Sequence, residues 1–138
     1  MSDASTTARG RILVVDDQRN MRTITALVLS AEGHTVFQAA TGQEALDFLS
    51  RSSVDVLLTN LKMEPMDGLT LLEKALEAVP QLQVIVMTAF GSIDSAVEAM
   101  RLGAYDYITK PFKEGKLCHC VNAALEQAWR LSQEKLNL

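Results

Sequence analysis

The sequence predicts an α/β domain, a doubly wound five-stranded parallel sheet with five helices, the last of them extended. Three observations predict it. Five short apolar, β-branched runs recur along the chain, segments of helical periodicity separate them, and the links between the two kinds of segment are short. Strands that alternate with helices build a parallel sheet covered on both faces. The 138 residues, 48% of them hydrophobic, suffice for one core that needs no disulfide or metal.

The strands are read as RILVV (11–15), TVFQA (35–39), VDVLLT (54–59), QVIVMT (83–88) and YDYIT (105–109). The first, third and fourth are continuously apolar, so they are central and buried on both faces. The second and fifth are more polar and suit the edges. That distribution gives the flavodoxin-like order 2-1-3-4-5.

The helices follow from periodicity and caps. Residues 17–31 carry Met21, Ile24, Leu27 and Val28 at three-to-four spacing. Thr41 caps GQEALDFLSR, with Glu44 completing a capping box. Asp67 caps GLTLLEKALEAV, which stops before Pro80. Ser92 caps IDSAVEAMRLG, which closes on Gly103 as a left-handed terminator. After Phe112 no proline or late glycine interrupts the chain, and Val121, Ala124, Ala128, Leu131 and Leu138 form an apolar seam broken at Lys135. A seam that outruns its domain asks for a partner, a second copy or a following domain. The expected organisation is a disordered tail at 1–10, one domain at 11–125 and a helical linker at 126–138.

Charge and composition exclude several functions. With 13 basic and 17 acidic residues the net charge is -4, which leaves no basic surplus for neutralising phosphates, so this segment is not expected to bind nucleic acid directly. No apolar run is long enough for a membrane span, and the polar first ten residues lack the apolar core of a signal peptide, so the expected compartment is the cytoplasm. Cys118, His119 and Cys120 look like a metal trio, but residues two apart on a helix face different ways, and His34 is the only other histidine. They read as buried or half-buried thiols without a disulfide. Met63, Met66, Met87 and Met100 read as core filler. No glycine-rich phosphate loop follows the first strand, which argues against a nucleotide or flavin binder.

Ligands of such sheets bind beyond the carboxyl ends of the strands, where the strand order reverses. The strand ends deliver Asp16 and Asp17, Asn60, Thr88, and Lys110 before Pro111. Clustered carboxylates with room for water suit Mg²⁺, and an ammonium with a hydroxyl would hold a phosphoryl group. The place of the nucleophile falls to Asn60, whose amide oxygen is a poor one.

The elements LVVDD, LLTNLKMEPMDG, VIVMTAFG and GAYDYITKPF, in this order and spacing, resemble the receiver domain of bacterial two-component response regulators, with its CheY-like fold. The resemblance implies Mg²⁺ held by Asp17 directly, by Asp16 through water and by the backbone carbonyl of Lys62, with position 60 as a further ligand. It implies a switch pair, Thr88 and Tyr107, a phosphoryl-contacting Lys110 and a cis peptide before Pro111. It also implies a sensor histidine kinase as phosphodonor. The family's phosphoacceptor is an aspartate, and Asn60 stands at its position. Phosphotransfer is therefore expected to be blocked, and Mg²⁺ to be weakened by the missing charge. Two histories fit: a substitution that locks a working receiver unphosphorylated, or a natural pseudo-receiver that acts as a phosphorylation-independent dimerisation module. A second departure is Pro65, one residue later than in the commoner family pattern.

The long last helix with GAYDYITKPF most resembles receivers that precede the ATPase domain of sigma-54-dependent transcription activators. That implies output ATPase and DNA-binding domains, and a homodimer through the C-terminal helix or the face of the fourth helix, fifth strand and fifth helix. A third function, a small Mg²⁺-dependent phosphatase using Asp16 or Asp17 as nucleophile, lacks any sequence for a substrate-covering cap.

Overall fold

The computed structural model describes residues 9–89 and 91–136, with side chains in the last helix followed to Gln133. The strands β1 (Arg11–Val15), β2 (Thr35–Ala39), β3 (Val56–Asn60), β4 (Gln83–Thr88) and β5 (Asp106–Thr109) form one parallel sheet in the order β2-β1-β3-β4-β5. The helices are α1 (Arg19–Ala31), α2 (Gly42–Arg51), α3 (Gly68–Ala78), α4 (Ile93–Arg101) and α5 (Glu114–Leu136).

Successive side chains of a strand point to opposite faces, so the apolar central strands supply two cores at once. Leu13, Val15, Leu57, Val84 and Val86 pack beneath α2, α3 and α4. Ile12, Val14, Val56, Leu58, Ile85 and Met87 pack beneath α1 and α5. Every residue of β4 is buried, whereas edge strand β2 is mostly not.

The helix caps explain where the helices start. Thr41, Asp67 and Ser92 each accept a backbone N–H from three residues on. The Glu44 carboxylate reaches past the N-cap and accepts from the Ala40 N–H, so it ties the preceding turn where a closed box on Thr41 was expected. At α4 the box closes through Ser95. Gly103, at φ 106°, ends α4 in the left-handed region.

Several expectations are corrected. β3 starts at Val56, two residues late, because Asp55 turns its carboxylate to the Arg11 N–H. The strand also runs one residue further than the apolar run, so that Asn60 is its last residue, in register with Met87. α1 begins at Arg19, because Asp16 Oδ1 accepts the Gln18 N–H and holds a turn there. β5 begins at Asp106.

The apolar spacing of α1 marks its buried face only in part, for Val28 packs against the core and Ile24 and Leu27 do not. Thr25, Ala26 and Leu29 face the sheet, the first two small enough to let the helix lie close, while Ile24 and Leu27 are 55% and 64% exposed. Met100 is likewise exposed on α4 beside Ile93 and Val97. On α5, Val121 and Ala124 are buried with Leu117, Cys120 and Leu125 against the chain's own sheet, so the first half of the expected seam is internal packing. Ala128 and Leu131 are half-buried and Trp129 is exposed. Leu138 and the side chain of Lys135 lie outside the described residues, as does 1–8 of the expected tail.

Candidate functional site

Strand order reverses between β1 and β3, so the site forms where those two strands end. One residue past β1, Asp16 is buried. Its backbone holds it twice: its N–H donates to the Ala39 carbonyl at 3.2 Å, and its carbonyl accepts from the Arg22 guanidinium at 2.7 Å. Its carboxylate accepts the Gln18 N–H at 2.9 Å on one oxygen and the Lys110 ammonium at 3.4 Å on the other.

Lys110 arrives from the end of β5, its N–H donating to the Thr88 carbonyl at 2.8 Å and its peptide to Pro111 cis. Its ammonium also donates to Asn60 Oδ1 at 3.2 Å. Asn60 Nδ2 in turn donates to the Lys62 carbonyl at 2.8 Å. A single polar chain thus runs from Gln18 through Asp16, Lys110 and Asn60 to Lys62. Both ends of the Asn60 amide agree on its orientation, since the ammonium needs an acceptor and the carbonyl a donor.

The structure brings Asp16, Asn60, Lys110 and the Lys62 carbonyl together. Thr88 is buried at the end of β4 and lines the same cleft as Asp17, Asn60, Lys62 and Lys110. Asp17 is exposed at the rim. The cleft has a volume of about 810 Å³, and its far end is apolar, walled by Met21, Val28, Phe112 and Leu117. Sequence reasoning missed that apolar end, because it did not bring α1, with Met21 and Val28, against Phe112 and the start of α5.

The loop after β3 depends on Gly68. A Cβ there would stand 2.4 Å from the Asn60 carbonyl oxygen and 2.9 Å from the Leu61 Cα. The Gly68 N–H donates to the Leu61 carbonyl at 2.8 Å, so α3 starts against the backbone that presents Asn60. Within the loop the Glu64 to Pro65 peptide is also cis.

Tyr107, on β5, is half-buried, and its hydroxyl lies 2.6 Å from Ser95 Oγ. A Cβ on Gly91 would be 3.0 Å from that hydroxyl and 3.3 Å from Thr88 Cγ2, so the expected switch pair converges on one bare stretch of backbone. Ser95 is a site residue that sequence reasoning missed. Its role as a cap partner was legible three residues after Ser92, but its reach to β5 was not.

The ligand set inferred for Mg²⁺ is only partly available. The Asp16 carboxylate is shared between Gln18 and Lys110, the Lys62 carbonyl is taken by the Asn60 amide, and Asp17 alone stands open to solvent. Among the described residues no cluster of three or more His, Cys, Asp or Glu side chains is arranged to hold a metal ion. The residues as they stand do not fit a bound Mg²⁺.

Comparison with known proteins agrees with what gathers at this edge: the chain belongs to the response regulator receiver domain family, matched over residues 12–122. Within that family it resembles the receivers of NtrC-type sigma-54 activators. The DNA-binding transcriptional regulator NtrC of Escherichia coli (strain K12) is 41% identical over 104 residues, 75% of this chain and 22% of NtrC. The crystal structure of NtrX from Brucella abortus superposes with a TM-score of 0.86 at 34% identity, covering 94% of this chain and 29% of that one. The solution structure of the beryllofluoride-activated NtrC4 receiver domain dimer gives 0.82 at 31% identity, covering 86% of this chain and 98% of that one. The chain spans roughly a quarter of the length of the transcriptional regulators it matches, 28% and 22% for two of them. Among the described residues no helix is long and apolar enough to cross a membrane.

Proposed function

We propose that this receiver is the phosphorylation-controlled input domain of a two-component transcription activator, held in its unphosphorylated form by Asn60. The supporting observation is the Lys110 ammonium, which sits within hydrogen-bond reach of both Asp16 and Asn60. In a competent site the carboxylate at position 60 attacks phosphorus, a phosphorus–oxygen bond forms, and the donor leaves with its electron pair. A neutral amide oxygen is too weak a nucleophile for that step.

A sensor histidine kinase is the proposed donor, and exposed Ile24 and Leu27 on α1, the first of them on the cleft wall, offer it an apolar foothold. Residues 11–125 are the proposed receiver and 126–138 a helical linker toward ATPase and DNA-binding domains, in the cytoplasm. Exposed Ile93, Val97 and Met100 on α4 support a homodimer through the α4, β5 and α5 face, with or without the end of α5.

A second reading, a pseudo-receiver that dimerises without phosphotransfer, is favoured by the closed hydrogen bonding of Asn60. Intact mass after incubation with Mg²⁺ and acetyl phosphate separates the two. The expected result is one phosphoryl group on the Asn60→Asp variant and none on the unaltered chain. No gain on either chain overturns the receiver-with-block reading in favour of the second.

A further inference from the structure

The Asn60 carboxamide uses both of its ends inside the site, and one of its partners is a backbone oxygen that the family resemblance assigned to the metal. The Nδ2 to Lys62 carbonyl distance is 2.8 Å. Two oxygens on neighbouring vertices of an octahedral Mg²⁺ stand about 2.9 Å apart, given ligand distances near 2.0–2.1 Å. The amide nitrogen and the carbonyl oxygen thus occupy nearly the separation of two adjacent ligands, but a proton joins them and the carbonyl points its lone pair at that proton.

We propose that Asn60 closes the cation site from within: its N–H₂ group takes the place of the divalent cation on the Lys62 carbonyl. Loss of a negative charge is then only part of the change at position 60. An aspartate there has no proton to donate, so its carboxylate and the Lys62 carbonyl would oppose each other as two acceptors until a cation joined them. The asparagine removes that demand. Its Oδ1 also engages Lys110, which keeps the ammonium beside Asp16 and leaves Asp17 as the one open carboxylate of the site.

This inference rests on the receiver reading for the identity of the cation alone. Charge loss and amide closure predict different orders of affinity. Asn60→Ala has the same charge as the unaltered chain but no amide. If charge alone matters, removing a neutral oxygen leaves Mg²⁺ affinity equal or lower. If the amide closes the site, the alanine variant frees the Lys62 carbonyl and gains affinity by about fivefold, the worth of one ordinary hydrogen bond.

The experiment is isothermal titration of the unaltered chain, Asn60→Ala and Asn60→Asp with MgCl₂, together with two-dimensional ¹⁵N–¹H spectra of the Asn60 side-chain amide in the unaltered chain. The expected order of affinity is Asn60→Asp, then Asn60→Ala, then the unaltered chain. The amide protons should hold their shifts across the Mg²⁺ range that saturates Asn60→Asp. Alanine binding no tighter than the unaltered chain, or amide shifts that follow the saturation curve of Asn60→Asp, overturns the proposal. Phosphoryl uptake by Asn60→Asp is scored separately, so the closure can fail while the receiver reading stands. Absence of Mg²⁺ binding by all three chains overturns the closure as well, because there would be no site to close. Should the alanine variant fail to fold, the amide spectra decide alone.

Discussion

The Tyr107 hydroxyl lies 2.6 Å from Ser95 Oγ, and Ser95 also closes the cap of α4 with Ser92. One serine therefore ties the aromatic side chain of β5 to the first turn of the helix on the proposed output face. Tyr107→Phe removes the bond and keeps the ring, so it should cost about 1 kcal/mol in chemical denaturation. Ser95→Ala should cost about 1–2 kcal/mol, because the bond that its hydroxyl accepts from the Ser92 N–H is lost as well, while the Ser92 cap on the residue 95 N–H remains. In the double variant the two costs should fall short of additivity by about 0.5–1 kcal/mol. Strict additivity would mean that the hydroxyls do not interact.

Lys110 and Asp16 are both largely buried, and Gln18 and Lys110 are the partners of that carboxylate. Replacing Lys110 with methionine keeps the bulk and strands the acid. Urea unfolding should show a loss of about 2–3 kcal/mol, and pairing it with Asp16→Asn should recover part of it. A Lys110→Met chain as stable as the original would show that solvent, and not the lysine, neutralises Asp16.

Gly68→Ala puts a methyl group where the Asn60 carbonyl oxygen already sits. Backbone against backbone cannot be relieved by a rotamer change, so the end of β3 or the start of α3 must move. Stability should fall by about 1–3 kcal/mol. Amide chemical-shift changes should concentrate at residues 60–62 and 68–71, and a spread over the whole sheet would contradict this local account.

His34 is buried between the start of β1 and α5. Its Nδ1 accepts the Gly10 N–H at 3.3 Å, so the ring is neutral with its proton on Nε2. Burial lowers its pKa from the ordinary 6.5, with Arg9 acting the same way and Glu32 and Asn122 opposing. The unfolded chain therefore binds the proton more readily, and folding stability should decline as pH falls below about 6.5. The slope from this one group is bounded by about 1.4 kcal/mol per pH unit. A His34→Leu variant should lose that slope in thermal melts between about pH 7 and about pH 5. An unchanged slope would assign the pH response to other groups.

The fold was legible because its signals are local. Continuous β-branched runs marked the central strands, and Thr41, Asp67 and Ser92 cap their helices by hydrogen bonds that span three residues. The convergence of Asp16, Asn60 and Lys110 followed from strand order alone. What stayed hidden depends on distances across the fold. Nothing in the spacing of Met21, Ile24, Leu27 and Val28 says that the sheet takes the side of α1 bearing Thr25 and Ala26. Likewise the link from Ser95 to Tyr107 joins residues 12 apart on different elements. The engagement of the Lys62 carbonyl by Asn60 was missed for a different reason: position 60 was read as a lost nucleophile, and its new proton donors were left uncounted.

α5 is gripped by the sheet as far as Leu125 and continues as helix to Leu136. At 1.5 Å per residue the part beyond Leu125 is a rod of roughly 16 Å, half-buried at Ala128 and Leu131. A tilt of about 10° about Leu125 would carry the far end about 3 Å sideways. The rod would thus turn a slight change of angle at the core into a displacement comparable to a hydrogen bond's length at its tip.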